Sequence, residues 1–159
     1  MKTEVDADHR ALGVALYNSS WTLLAKSDRT AEEDDELLHQ AHASAYHWTA
    51  APECEPKNRA RSEWLCSRVY SVLGRAEPAL HHAERCLAYA EGYPSEMEDW
   101  DLPYAYEALA RASLVAGDPE AASRHEAEAR RLGEAVADED DRELLLGDLD
   151  RLGDGSPPR

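Results

Sequence analysis

The chain has 159 residues, of which 43% are hydrophobic and 31% charged, and it contains no phenylalanine. That length suits one domain with a real core, filled here by Leu, Trp, Tyr and many Ala. A net charge of −16 argues against a nucleic-acid partner or an anionic membrane, because a polyanion would be repelled. It leaves basic or neutral partners.

The apolar pattern is helical nearly throughout, and β-branched runs are too few for strands. A first helix is expected from about Asp8 to Ala25. Val14, Tyr17, Trp21 and Leu24 form one apolar stripe, and Leu12, Leu16 and Leu23 form another, so this helix should be sandwiched between neighbours. Thr30 and Glu33 have capping-box spacing and open a second helix that reaches about Ala50. APECEPKN, 51–58, reads as a linker. A third helix covers about Arg59 to Leu73 and stops at Gly74, and a fourth runs from Ala76 to just before Gly92.

GYPSEMEDWD reads as a second linker, after which Asp101 is expected to cap a fifth helix ending at Gly117. Asp118 and Pro119 start a sixth. Asp138 precedes a short terminal helix whose Leu144, Leu145, Leu149 and Leu152 would cover an open end. Residues 1–152 form a single helical domain, and 153–159, GDGSPPR, a disordered tail. The polar start and the lack of any membrane-length apolar run point to a cytoplasmic protein without membrane association. Cys54, Cys66 and Cys86 make no C-x-x-C pair and are read as reduced, packed thiols.

Two segments share a pattern of helix, Gly, Pro-containing helix start and Ala-rich helix: SRVYSVLGRAEPALHHAERCLAYAE and ARASLVAGDPEAASRHEAEARRLGE. Gly74 and Gly117 lie 43 residues apart. Self-similarity at this scale marks a stack of helical hairpins. Ser67, Tyr70, Gly74, Ala79 and Cys86, with Ala110, Gly117, Ala122 and Ala129, resemble the tetratricopeptide-repeat (TPR) family over roughly residues 59–137. The match is poorer over 8–50, the spacing exceeds the ~34 residues of that family, and Ser113 stands where its tyrosine would be. The chain is also similar to bacterial TPR-like proteins without known activity. The shared motifs are H-x-x-H-A-S-x-Y-H-W, S-R-V-Y-S-V-L-G-R-x-E-P-A-L and A-Y-E-A-L-A-R. The resemblance implies an all-α, right-handed stack of about three antiparallel hairpins with a short C-terminal capping helix.

Helical spacing places Arg61, Trp64, Arg68 and Val72 on one face of the third helix, and Tyr104, Glu107, Arg111 and Val115 on one face of the fifth. In TPR proteins such faces line a concave groove. Here the groove would hold Arg61, Arg68 and Arg111 beside Trp64 and Tyr104, a local reversal of charge suited to a peptide or an acidic terminus. The plainer reading is that these arginines pair with acids such as Glu63 and Glu107.

A second candidate is HQAHASAYHW, 39–48. Asp35, His39, His42 and Tyr46 fall opposite the apolar stripe of the second helix. His39 and His42, at i and i+3, could share a divalent metal, with Asp35 or His82 as further ligands and Tyr46 and Glu63 lining a pocket. A metal- or small-molecule-binding protein, even an enzyme, is therefore the alternative. The plainer reading is histidine packed between helices. No other cofactor is expected. A homodimer through an open end hairpin is a third expectation.

Overall fold

The computed structural model describes residues 6–153. Among them are seven α-helices and no strand: α1 (His9–Leu24), α2 (Ala31–Ala50), α3 (Pro56–Val72), α4 (Ala76–Gly92), α5 (Asp101–Val115), α6 (Pro119–Gly133) and α7 (Glu139–Asp150). One 3-10 turn, Pro94–Glu96, lies in the α4–α5 connection. The expected tail, apart from Gly153, lies outside the described residues.

Local chemistry accounts for the helix ends. Asp8, Asp118 and Asp138 each accept a backbone N–H three residues on. Thr30 and Glu33 form the reciprocal capping box. Pro56 opens α3 instead of lying in a linker, because a proline at N1 gives up a donor that would have no helical partner anyway. Asn58 Oδ1 accepts the Glu55 N–H just before it. Asp101 differs from expectation too: Trp100 is the N-cap of α5, and the Asp101 carboxylate accepts the Glu98 N–H while buried against α3.

The two glycine stops are the same structure twice. Gly74 and Gly117 have φ of 72° and 74°. Arg75 N–H donates to Tyr70 O and Gly74 N–H to Ser71 O, while Asp118 N–H donates to Ser113 O and Gly117 N–H to Leu114 O. This is the double bond pattern of a left-handed helix end, reproduced one repeat later.

Sequential helices pair as hairpins, α1 with α2, α3 with α4 and α5 with α6. Each hairpin also packs on the next: α2 touches α3, α4 touches α5, and α3 touches α5 directly, while α7 closes on α6 and α5. Small residues permit this. Ser67 Oγ donates to Ala79 O at 2.8 Å where α3 meets α4, and Ala79, Ala83, Ala108 and Ala112 form an alanine-rich seam between α4 and α5. Gly13 lets the Trp48 ring lie against α1, and Gly133 lets Leu145 seat on α6. Leu145, Leu149 and Leu152 cover Ala110, Ala129 and Val136, as the terminal leucines suggested, but Leu144 stays half exposed.

The expectation that α1 is sandwiched does not hold. Its buried face is Gly13, Ser20 and Leu24, whereas Leu12 and Val14 remain exposed. As the end helix it packs mainly on α2 and, over a smaller area, on α3.

Candidate functional site

The 43-residue offset carries side chains as well as turns. Trp64 of α3 corresponds to Glu107 of α5, and Arg68 to Arg111. One step back, Trp64 corresponds to Trp21 of α1. The three equivalent residues meet as a row. Trp21 stacks on Trp64 with centroids 5.5 Å apart, and Trp64 Nε1–H donates to Glu107 Oε2 at 3.1 Å.

Glu107 is the hub of that row, with 1% of its side chain exposed. Arg111 donates to its Oε1 from Nε and Nη2 at 2.8 and 2.5 Å. Arg68 Nη1 stands 3.7 Å from the same oxygen. Burial pushes the Glu107 carboxyl up to about 7, against the pull of the Arg68 charge. Arg61, one turn before Trp64, bonds both oxygens of Asp101 at 2.9 and 3.0 Å and lies 4.2 Å above the Trp100 ring. The arginines thus pair largely with acids of the chain. Glu107 is among those expected, but Asp101 takes the place of Glu63.

Two cavities lie along the odd-numbered helices, to either side of this row. The first, about 240 Å³, is walled by aromatic rings: Tyr17 and Trp21 of α1, Trp64 of α3, and Trp100 and Tyr104 at the start of α5. Arg61 and Asp101 supply its polar edge, and Leu144 and Asp148 of α7 complete the wall. Tyr104 donates to Asp148 Oδ2 at 2.9 Å, and burial with that neighbouring carboxylate raises its phenol. The second cavity, about 380 Å³, takes Leu24, Arg68, Ser71 and Arg111 from the same helices, with Lys26 and Arg29 from the α1–α2 loop. α1, α3 and α5 each give their earlier residues to the first cavity and their later ones to the second, so these three helices run in parallel.

The expected groove residues therefore come together, but not as one surface. Arg61, Trp64 and Tyr104 line the aromatic cavity, and Arg68 and Arg111 line the cationic one. Glu107 lies behind them, holding the row together. Sequence reasoning missed Trp21, Trp100, Asp101, Lys26, Arg29 and Ser71. The offset of 43, applied once backward, would have found Trp21. Nothing in the sequence pattern signals the two loop cations.

The histidine face behaves differently. His42 Nε2 and Tyr70 OH are 2.9 Å apart, and the Tyr70 ring stacks on His82 at 5.6 Å. His82 Nδ1 bonds Glu63 Oε2 at 2.6 Å, and Arg85 holds the other Glu63 oxygen at 2.8 Å. These groups tie α2 to α3 and α4. Desolvation is the largest cause lowering the His42 pKa, and the His82 charge adds to it. Asp35 and His39 lie exposed, and Tyr46 is 65% exposed and faces His9 and His47. Among the described residues, no group of three His, Cys, Asp or Glu side chains is placed to hold a metal ion. None of the described helices is long and apolar enough to cross a membrane.

No family model matches the chain, and neither a curated protein nor a solved structure is significantly similar to it.

Proposed function

We propose that the chain is a TPR-like interaction module of the cytoplasm, a right-handed stack of three hairpins, whose two cavities together take a peptide segment with an acidic terminus. The observation that supports this most is the pairing of two unlike cavities along one set of helices. One end is aromatic and apolar, and the other is lined by four cations in a chain of net charge −16. Charge complementarity selects an anionic group for the second end. The rings of the first suit a bulky apolar side chain.

The spacing gives the reading a register. From Tyr104 to Arg111 is seven residues of helix, roughly 10 Å at 1.5 Å per residue. An extended peptide covers that distance in about three residues. The preferred ligand is then an acidic terminus with an apolar or aromatic residue about three positions before it.

Selection of the whole protein against random peptides with free C-termini tests this. Enrichment of that pattern is expected, with binding weakened by Leu144→Arg, which places a charge in the aromatic mouth. Leu144 is 48% exposed, so the substitution leaves the core intact. Peptides that bind the Leu144→Arg protein with unchanged affinity, or a selection that enriches nothing, would remove the reading.

The aromatic cavity by itself favours a second reading, that of a small-molecule protein. Its volume suits a compact apolar molecule. Native mass spectrometry of untagged protein distinguishes the two, since a stoichiometric co-purifying mass displaced by Leu144→Arg supports the second.

A further inference from the structure

We infer that the cavity beside Arg68 is a built oxyanion site, which receives a carboxylate or phosphate group carried by a larger ligand. It deepens the peptide reading by naming where the anionic group sits, and it rests on that reading only for what carries the group.

Three observations converge there. First, Arg68 has 6% of its side chain exposed, yet its Nε and Nη1 find no hydrogen-bond partner among the described residues. Its one ion-pair neighbour, Glu107, is 3.7 Å away and already accepts from Arg111 and Trp64. A buried guanidinium without hydrogen bonds costs free energy, and a ligand that accepts them recovers it. Second, Ser71, one turn further along α3 on the same cavity wall, has a buried Oγ that also lacks a partner among the described residues. Third, the described residues that line it include Lys26, Arg29, Arg68 and Arg111 and no carboxylate.

The four cations are not equivalent. Lys26 is paired with Glu33, and Arg29 holds Asp34 and the carbonyls of Leu23 and Lys26. Arg111 is bonded to Glu107. These three supply positive potential, and Arg68 supplies Nε and Nη1, donors without a partner among the described residues. One effect opposes the site: α1, α3 and α5 end beside it, and helix C-termini repel anions. Charge-assisted hydrogen bonds from Arg68, with the positive potential of Lys26, Arg29 and Arg111, oppose that repulsion. The volume, about 380 Å³ with Leu24, Val72 and Leu114 in the walls, exceeds that of a free phosphate ion. A group with an attached chain fills it better.

The test titrates the whole protein with acetate and, separately, inorganic phosphate at constant ionic strength made up with chloride. The readout is the side-chain Nε–H resonances of the arginines. Saturable shifts at Arg68 with at least one of the two anions are expected, together with at least about tenfold weaker binding in Arg68→Gln. A response to acetate alone points to a peptide carboxyl terminus, and to phosphate alone to a phosphorylated side chain. If neither anion gives a saturable shift, or Arg68→Gln binds unchanged, the site is refuted, even where peptide selection succeeds through the aromatic cavity. Should Arg68→Gln fail to fold, Ser71→Asp decides. It places a carboxylate one turn from Arg68 inside the cavity, so it should abolish the anion response and raise the melting temperature. A folded Ser71→Asp protein that still responds to the anions as before refutes the site.

Discussion

Replacing Glu107 with alanine tests the row that separates the two cavities. The substitution leaves Arg111 without the oxygen to which its Nε and Nη2 both donate, Trp64 without a partner for Nε1–H, and Arg68 without its nearest counter-charge. Removing one partner of a buried ion pair costs about 3–5 kcal/mol. With a urea slope of about 2 kcal/mol per molar, the midpoint of unfolding should fall by roughly 2 M. Trp64 and Trp21 make tryptophan fluorescence a direct reporter. The pH dependence has a definite sign. The folded carboxyl lies at about 7, above its ordinary 4.5, so the native state keeps the proton longer. The stability contributed by Glu107 is therefore full below pH 4.5 and declines as pH rises through 7. The Glu107→Gln protein, which cannot ionise there, should gain on the wild type by roughly 3 kcal/mol across that window. A Glu107→Ala midpoint within about 0.5 M of wild type would show that the arginines do not depend on this carboxylate. A wild type that gains on Glu107→Gln with rising pH would show that the guanidiniums outweigh desolvation.

Gly74→Ala and Gly117→Ala should each cost about 1–2 kcal/mol through left-handed backbone alone, because no atom of the described residues lies within 4 Å of the added methyl; a melting temperature unchanged in both would refute this. His42 has its pKa lowered by burial, so the unfolded chain takes up the proton first and stability falls as pH drops through 6.5. His42→Gln should flatten that limb in unfolding titrations from pH 7.5 to 5. Burial pushes the Cys66 thiol up to about 12 and Cys86 higher still, while Cys54 is only partly buried. A thiol reagent should therefore label one cysteine per native chain and three after unfolding; fast labelling of two or more in the native protein would contradict the packing.

Much of this was legible in the chain because helices are local objects. Thr30 with Glu33, Asp118 with Pro119, and Gly74 and Gly117 each mark a helix end through bonds made within a few residues. Apolar periodicity likewise assigned Trp64 and Arg68 to one face of α3, and Glu107 and Arg111 to one face of α5. The failures are where a neighbour decides. Pro56 could be linker or first turn, and α1 could be sandwiched or terminal, until the helix beside each was known.

The helices, their repeat and the faces that Arg61, Arg68 and Arg111 occupy are all readable from the chain, since each follows from backbone periodicity and end chemistry. Packing between helices settles that Arg61 is held by Asp101, that Arg68 Nε and Nη1 have no partner among the described residues, and that Lys26 and Arg29 join it. Those outcomes depend on how far one helix slides along the next. That distance is set by contacts such as Gly13 under Trp48, and by residues some 40 positions apart, which no local pattern encodes.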